Sequence, residues 1–285
     1  MSSTPPQLDN PDDLAELGYL IGPDEDANPF DHDPGVEAVS TPLWREFFWP
    51  LELASLLCSP IYQGAGVAHG HGEPVLVIPG FLANDLMMIP LRRWLKRIGY
   101  RPYLSDIAWN TDCPNKTALR LVQKIKVIHR KTGRRVILIG HSLGGMLAKS
   151  ILQHVPELID RVITLGSPFR DHVRAHPAVT GVWEYLLSGQ GKLIGRNLHA
   201  SCGTGFCMCD FVRHMLQPEA RPVPQFAIYS RNDGVVDWIS CAEEDAMANT
   251  EINEATHIGL IFHPRALEAV AQRLAQRIEA ADTGR

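Results

Sequence analysis

The chain has 285 residues, of which 45% are hydrophobic, and a formal net charge of −5. Ten acidic residues and no Lys or Arg fall within the first 44 positions, so the rest of the chain carries a net charge of +5. This mild positive charge forms no basic stripe interleaved with aromatic residues, which argues against a nucleic-acid-binding protein. The length and composition suffice for one large α/β domain.

The N-terminal segment, residues 1–41, is acidic and rich in proline, and we predict a disordered or loosely draped arm. It has no basic stretch followed by an apolar one, and we find no membrane-spanning segment after it. We therefore expect neither a secretory signal nor a membrane anchor, and we expect a cytoplasmic protein. In the next stretch, Trp44, Phe47, Phe48 and Leu51 share one face of a helical pattern. That face predicts docking on the core, with contact at a lipid interface as the alternative.

From residue 74 onward, strand-like and helix-like segments alternate, which predicts a parallel sheet with right-handed crossovers. Between about 170 and 224 the alternation stops in a segment rich in glycine, histidine and cysteine, which we interpret as an inserted cap or lid in a domain spanning 42–285. We predict strands at 75–78, 101–107, 135–139, 161–165, 225–229 and near 251–254, and helices at 85–98, 116–131, 143–154 and 264 to about 280.

The most informative motif is Gly-His-Ser-Leu-Gly at residues 140–144, between a β-branched run and a helix-like segment. A serine at the tip of a sharp strand-to-helix turn is held clear of its own backbone, and the flanking glycines let strand and helix approach each other. The pattern itself occurs by chance, so this context carries the argument. We therefore predict that Ser142 is a nucleophile.

A serine hydroxyl becomes a useful nucleophile when an imidazole accepts its proton and an acid orients that imidazole. Asp233 follows a predicted strand within a Ser-Arg-Asn-Asp-Gly turn, and His257 follows the last weak strand. We predict these two as the acid and the base, with Asp237 and Asp210 as alternative acids. Six other histidines are interpreted as surface or lid residues: His141, His172, His176, His199, His214 and His263.

Together these segments resemble the α/β-hydrolase superfamily, and more narrowly bacterial lipases and esterases. Residues 140–145 are similar to their nucleophile elbow, and residues 229–234 and 256–260 to their acid and histidine segments. Residues 78–81 stand where such lipases carry their oxyanion loop, with Pro79 in place of a common histidine. The resemblance covers residues 74–169 and 225–280 and leaves the arm and the insert unmatched.

The resemblance implies an α/β-hydrolase fold, with a mostly parallel central sheet flanked by helices, and it implies roles for five residues. Ser142, Asp233 and His257 would form the catalytic triad. The backbone N–H groups of Phe81 and Leu143 would form the oxyanion hole that holds the developing negative charge.

The cysteines allow three interpretations, and the sequence leaves them open. Free thiols suit a cytosolic protein, a disulfide would cross-link a lid that has few apolar residues, and a zinc ion could bind a cluster. The members of that cluster would be Cys202, Cys207, Cys209 and Cys241.

The sequence as a whole predicts a serine hydrolase that cleaves small-molecule or lipid carboxylic esters through an acyl-enzyme, with no cofactor and no metal. The same triad would serve an acyltransferase, or a depolymerase of polyesters of the polyhydroxyalkanoate type. A binding module with a silent triad is the remaining alternative. A further alternative has Trp44, Phe47 and Phe48 contact a lipid interface before hydrolysis.

Overall fold

A computed structural model describes residues 36–170, 173–179, 181–182, 211, 214–215 and 223–276. The strands are β1 (Val36–Ala38), β2 (Pro74–Ile78), β3 (Arg101–Tyr103), β4 (Val136–His141), β5 (Ile159–Leu165), β6 (Val173–Ala175), β7 (Gln225–Tyr229) and β8 (Asn249–Glu251). Six parallel strands form the central sheet in the order β3-β2-β4-β5-β7-β8, and β1 and β6 pair in parallel as a separate two-stranded sheet. The predicted parallel sheet is confirmed.

Helices cover both faces of the central sheet. In the part of the chain that the structure describes, none of them is long and apolar enough to cross a membrane. The α-helices are α1 (Trp49–Cys58), α2 (Ile89–Arg97), α3 (Pro114–Thr132), α4 (Leu143–Ile151) and α5 (Pro264–Ala275). Short 3₁₀ helices lie at Leu43–Phe48, Pro60–Gln63, Pro156–Leu158, Trp238–Cys241, Ala246–Ala248 and Ile258–Ile261.

The sheet divides the core into two apolar clusters. Leu76 and Ile78 of β2 pack with α3 and α4 on one face, and Val75 and Val77 pack with α1, α2 and α5 on the other. Because both faces of each strand are buried, the strands consist of continuous apolar runs rather than alternating ones. This two-sided burial is why the central strands could be predicted from the sequence.

Helix α2 and strand β3 are shorter than predicted, because the Asp85 carboxylate is hydrogen-bonded to the loop that follows β3. The helix predicted from residue 85 begins at Ile89, and the strand predicted to reach residue 107 ends at Tyr103. The Asp85 carboxylate accepts hydrogen bonds from the backbone N–H groups of Ser105 (3.1 Å) and Asp106 (2.9 Å). It thereby joins two loops at the carboxyl ends of β2 and β3 and shortens both elements.

The first helical segment does not dock on the core as predicted. Trp44, Phe47, Phe48 and Leu51 are 60%, 84%, 48% and 65% exposed, so the expectation that this face packs inward is wrong. From α1, Leu56 is fully buried in the core, and Trp49 and Leu53 pack against the same cluster. The aromatic face therefore lies at the protein surface.

The N-terminal boundary of the folded part lies before residue 42. Strand β1 pairs with β6, and the backbone N–H of Val39 donates to the carbonyl of Ala175 at 3.0 Å. The Thr41 hydroxyl donates to the carbonyl of Gly234 at 2.7 Å. The last residues of the predicted arm therefore contact the domain, whereas residues 1–35 and most of the predicted cap lie outside the described residues.

Candidate active site

Ser142 occupies a strained turn between β4 and α4. Its backbone has φ 52° and ψ −123°, a region that residues with a Cβ atom rarely adopt. A Cβ atom added at Gly140 would lie 2.3 Å from the carbonyl oxygen of Gly144, and one added at Gly144 would lie 2.3 Å from that of Ile78. Only glycine fits at both positions, and the turn lifts Ser142 above the carboxyl ends of β2 and β4.

Asp233 and His257 meet at the same edge of the sheet. Asp233 follows β7 and His257 follows β8, and both side chains are buried. His257 Nδ1 donates to Asp233 Oδ2 at 2.6 Å, while Asp233 Oδ1 accepts the backbone N–H groups of Val235 and Val236, each at 2.8 Å. The carboxylate is thus held by the protein on one oxygen and holds the imidazole with the other.

Asp237, one of the two alternative acids, does not take this place. The Asp237 carboxylate forms an ion pair with Arg174 at 2.9 Å and accepts the backbone N–H of Ile239 at 3.2 Å. It caps a 3₁₀ helix rather than orienting a histidine. Asp210 lies outside the described residues.

His141 is not a surface residue, and that interpretation is wrong. Its side chain is buried, and its Nε2 donates to the backbone carbonyl of His257 at 2.9 Å. The two imidazole rings lie with their centroids 4.8 Å apart. His141 therefore links the Ser142 turn directly to the loop that carries His257.

The two buried histidines have opposite pKa shifts. Burial lowers the pKa of His257, but the Asp233 carboxylate, its hydrogen bond and the Glu46 carboxylate raise it more, so the pKa lies above the ordinary value. Burial and the neighbouring His257 lower the pKa of His141 to about 3, against a smaller rise from its hydrogen bond. His141 is thus neutral at physiological pH, and His257 is suited to receive a proton.

The loop after β2 carries Phe81, the predicted second oxyanion donor. Asn110, which is 1% exposed, donates its side-chain amide to the carbonyl of Pro79 at 2.8 Å. Its backbone carbonyl accepts the N–H of Leu82 at 3.3 Å, and its N–H donates to the carbonyl of Ala83 at 2.9 Å. Asn110 therefore fixes the shape of this loop from three points. Leu143, which carries the other predicted donor, begins α4.

The described part of the chain includes one member of the predicted cysteine cluster. Cys241 is buried as a free thiol, and burial raises its pKa well above the ordinary value. Among the described residues, no group of three His, Cys, Asp or Glu side chains could hold a metal ion. Cys202, Cys207 and Cys209 lie outside the described residues, so the predicted cluster stays a prediction.

The chain is similar to a domain of one protein family and to bacterial lipases. A model of the PGAP1-like alpha/beta domain matches residues 115–186. A triacylglycerol lipase of Burkholderia plantarii is 27% identical over 139 residues, which is 45% of this chain and 39% of the lipase. A triacylglycerol lipase of Pseudarthrobacter phenanthrenivorans is 28% identical over 106 residues, which is 34% of this chain and 33% of the lipase.

The solved structure of a Bacillus licheniformis lipase superposes with a TM-score of 0.53 at 18% identity, over 73% of this chain and 94% of that one. This likeness shows that the chain has an α/β-hydrolase fold. The resemblance to bacterial lipases and esterases is confirmed, since these two sequence relatives are bacterial lipases and the structural likeness independently shows the fold. The chain matches less than two fifths of the length of each of these two sequence relatives.

Three residues next to the predicted triad were missed by sequence reasoning. His141 was assigned to the surface because a residue beside the nucleophile points away from it, and nothing local indicated that it reaches the His257 loop. Asn110 lies in a loop with no motif. Glu46 sits among exposed aromatic residues, so its inward direction had no signal in the apolar pattern.

Proposed function

We propose that this chain hydrolyses carboxylic esters through an acyl-enzyme formed on Ser142. The observation that carries the proposal is the buried 2.6 Å hydrogen bond between Asp233 and His257 at the sheet edge where the Ser142 turn also lies. A serine in a strained turn beside an oriented imidazole matches the requirements of nucleophilic acyl transfer.

In the proposed reaction, His257 Nε2 accepts the Ser142 proton as the serine oxygen attacks the ester carbonyl. Asp233 holds Nδ1–H, which leaves Nε2 free to act as the base and stabilises the imidazolium that forms. The N–H groups of Phe81 and Leu143 hold the oxyanion. His257 then protonates the leaving alcohol. In the second half of the reaction the same imidazole takes a proton from a water molecule as that water attacks the acyl-enzyme. It then returns the proton to the Ser142 oxygen, and the acid is released.

We propose lipid esters as the substrate class. The relatives named above are triacylglycerol lipases. An exposed aromatic face suits contact with a lipid–water interface: the rings of Trp44 and Phe48 meet edge to face at 6.0 Å, and Phe47 is 84% exposed. The neighbouring Glu46 accepts a hydrogen bond from the backbone N–H of His257 at 2.8 Å, so this face adjoins the proposed site.

The test of hydrolysis compares the wild type with Ser142→Ala on p-nitrophenyl esters from acetate to palmitate. We expect turnover by the wild type only, labelling of the wild type only by a fluorophosphonate probe, and an optimum at longer acyl chains. Equal turnover by both proteins would exclude Ser142 as the nucleophile. No turnover and no labelling would favour a binding module.

The test of interfacial contact compares Phe47→Ser with Met247→Ser, because both side chains are at least 80% exposed. Met247 precedes β8, whereas the proposed site lies beyond the carboxyl end of that strand. We expect Phe47→Ser to lower activity on emulsified triacylglycerol and to leave p-nitrophenyl acetate hydrolysis unchanged, while Met247→Ser changes neither. The same assays with an added alcohol or with a polyester distinguish acyl transfer and depolymerisation from ester hydrolysis.

A further inference from the structure

A buried glutamate from the N-terminal helical segment lies between the two loops that carry the proposed acid and base. Glu46 belongs to the 3₁₀ helix Leu43–Phe48 and is only 8% exposed, although its neighbour Phe47 is 84% exposed. Its carboxylate points towards residues 188 to 212 positions later in the chain. A buried carboxylate is costly unless its oxygens are hydrogen-bonded, so its partners explain its position.

All three of its hydrogen-bond donors adjoin the proposed triad. Glu46 Oε1 accepts the backbone N–H of Gly234 at 2.9 Å and that of His257 at 2.8 Å. Oε2 accepts the backbone N–H of Ile258 at 2.9 Å. Gly234 directly follows Asp233, so a single oxygen atom joins the acid loop to the histidine itself.

The contact is tight and has neighbours that reinforce it. A Cβ atom added at Gly234 would lie 2.8 Å from Glu46 Oε1 and 2.8 Å from the backbone carbonyl oxygen of Pro42, so the acid loop approaches closely only because this residue is glycine. The Arg45 guanidinium donates to the side-chain oxygen of Asn232, and the Thr41 hydroxyl donates to the carbonyl of Gly234. The N-terminal segment therefore holds the acid loop on both sides of Asp233.

Glu52 offers an internal comparison. It is about as buried as Glu46 and also accepts hydrogen bonds from the histidine loop, from the N–H (2.8 Å) and the hydroxyl (2.7 Å) of Thr256. The contacts described for Glu52 reach this loop and not the acid loop, and it is not among the main charges that act on His257. Its loss should weaken the fold without the electrostatic effect.

Among the described residues, the charged and titratable groups that face His257 are Asp233, Glu46 and His141. His141 is neutral, with its pKa lowered to about 3 by burial and by His257, so the two carboxylates set the local field. Burial lowers the pKa of His257, and Asp233 and then Glu46 raise it. Both carboxylates therefore favour the imidazolium that would form when Ser142 loses its proton.

We propose that Glu46 is a positioning residue for His257. Glu46 fixes the Asp233–His257 pair through the backbone of both loops, and its charge favours the imidazolium. This inference rests on the proposed ester hydrolysis. It makes the N-terminal helical segment, which lies outside the sheet, part of the active-site structure. It also explains why the aromatic residues of that segment face outward, since the inward direction is taken by the glutamates.

The test compares Glu46→Gln with Glu52→Gln on a soluble p-nitrophenyl ester. In Glu46→Gln one oxygen can still accept two N–H groups, while the new amide faces the Ile258 N–H. We expect a fall in kcat of about 10- to 100-fold with little change in KM, as for a misplaced catalytic group. We also expect the acidic limb of the pH profile to shift to lower pH. Glu52→Gln should lose about as much thermal stability as Glu46→Gln, and the midpoint of the acidic limb of its pH profile should stay that of the wild type.

A second variant separates charge from geometry. Glu46→Asp keeps the charge and shortens the side chain, so we expect a lower kcat with a pH midpoint near that of the wild type. NMR titration of the His257 imidazole gives the same comparison without any turnover. It therefore tests Glu46 even if Ser142→Ala shows that the proposed hydrolysis is wrong. An unchanged His257 titration and kcat in Glu46→Gln, or equal shifts in Glu52→Gln, would overturn the proposal.

Discussion

Replacement of Asp233 by asparagine is the sharpest test of the proposed triad, because the structure fixes the direction of the new amide. Asp233 Oδ1 accepts two backbone N–H groups at 2.8 Å. Turning the amide nitrogen towards them would lose two hydrogen bonds, at about 1 kcal/mol or more each. The amide oxygen therefore keeps the Oδ1 position, and the NH₂ group faces His257 Nδ1.

This orientation reverses the histidine tautomer. Facing a donor, His257 Nδ1 must be unprotonated, so the proton moves to Nε2 and the imidazole can no longer accept the Ser142 proton. We expect kcat to fall about ten-thousand-fold, which corresponds to about 5 kcal/mol in the activation barrier. Thermal stability should change little, since the backbone contacts of the side chain are kept.

The assay is p-nitrophenyl ester hydrolysis with thermal unfolding measured in parallel, and the matched control is Asp237→Asn. Asp237 lies four residues away and pairs with Arg174 instead of His257. We expect this control to retain activity within about tenfold, as a residue outside the triad should. Full activity in Asp233→Asn, or its loss in Asp237→Asn only, would refute the assignment of the acid.

Four further predictions concern the elbow, the base and the oxyanion loop. Gly144→Ala should lower stability by about 1–3 kcal/mol in chemical denaturation, because its Cβ would lie 2.3 Å from the carbonyl oxygen of Ile78; an unchanged midpoint would contradict this close approach of helix and strand. Ser142→Gly should be more stable than Ser142→Ala by about 1–2 kcal/mol, since Ser142 has φ 52°; equal stability would argue against strain. The raised pKa of His257 predicts that kcat/KM rises with pH through a midpoint above the ordinary pKa of histidine. The stability contributed by protonated His257 should be complete below the ordinary pKa and should be lost as pH rises through the raised pKa. A midpoint of kcat/KM below the ordinary pKa would contradict the direction of the shift. Asn110→Ala should lower kcat more than it raises KM, because its amide holds the carbonyl of Pro79 at 2.8 Å; a change in KM alone would place Asn110 in substrate binding.

The fold was predictable because its signals are local. A strand buried on both faces is a continuous apolar run, and the alternation of such runs with amphipathic helices specifies a parallel sheet. The prediction of β7 at residues 225–229 agrees with the structure, because a polar segment precedes it and a glycine-containing turn follows it. Element ends were less predictable. Asp85, for example, bonds to a loop 20 residues away, and no local pattern carries that information.

The predicted triad residues lie in turns whose local sequence is informative, whereas the residues that support them were not found. Asp233 and His257 could be chosen because each follows a strand, and the carboxyl ends of parallel strands meet at one edge of the sheet. Glu46 accepts a hydrogen bond from a residue 211 positions later in the sequence. It belongs to a segment whose apolar pattern predicted that the aromatic face, and not the glutamate, would be buried. An amphipathic pattern shows that one face differs from the other and does not show which face is buried. Here two glutamates are buried because backbone N–H groups of the proposed catalytic loops need acceptors, and that need exists only once the loops have folded.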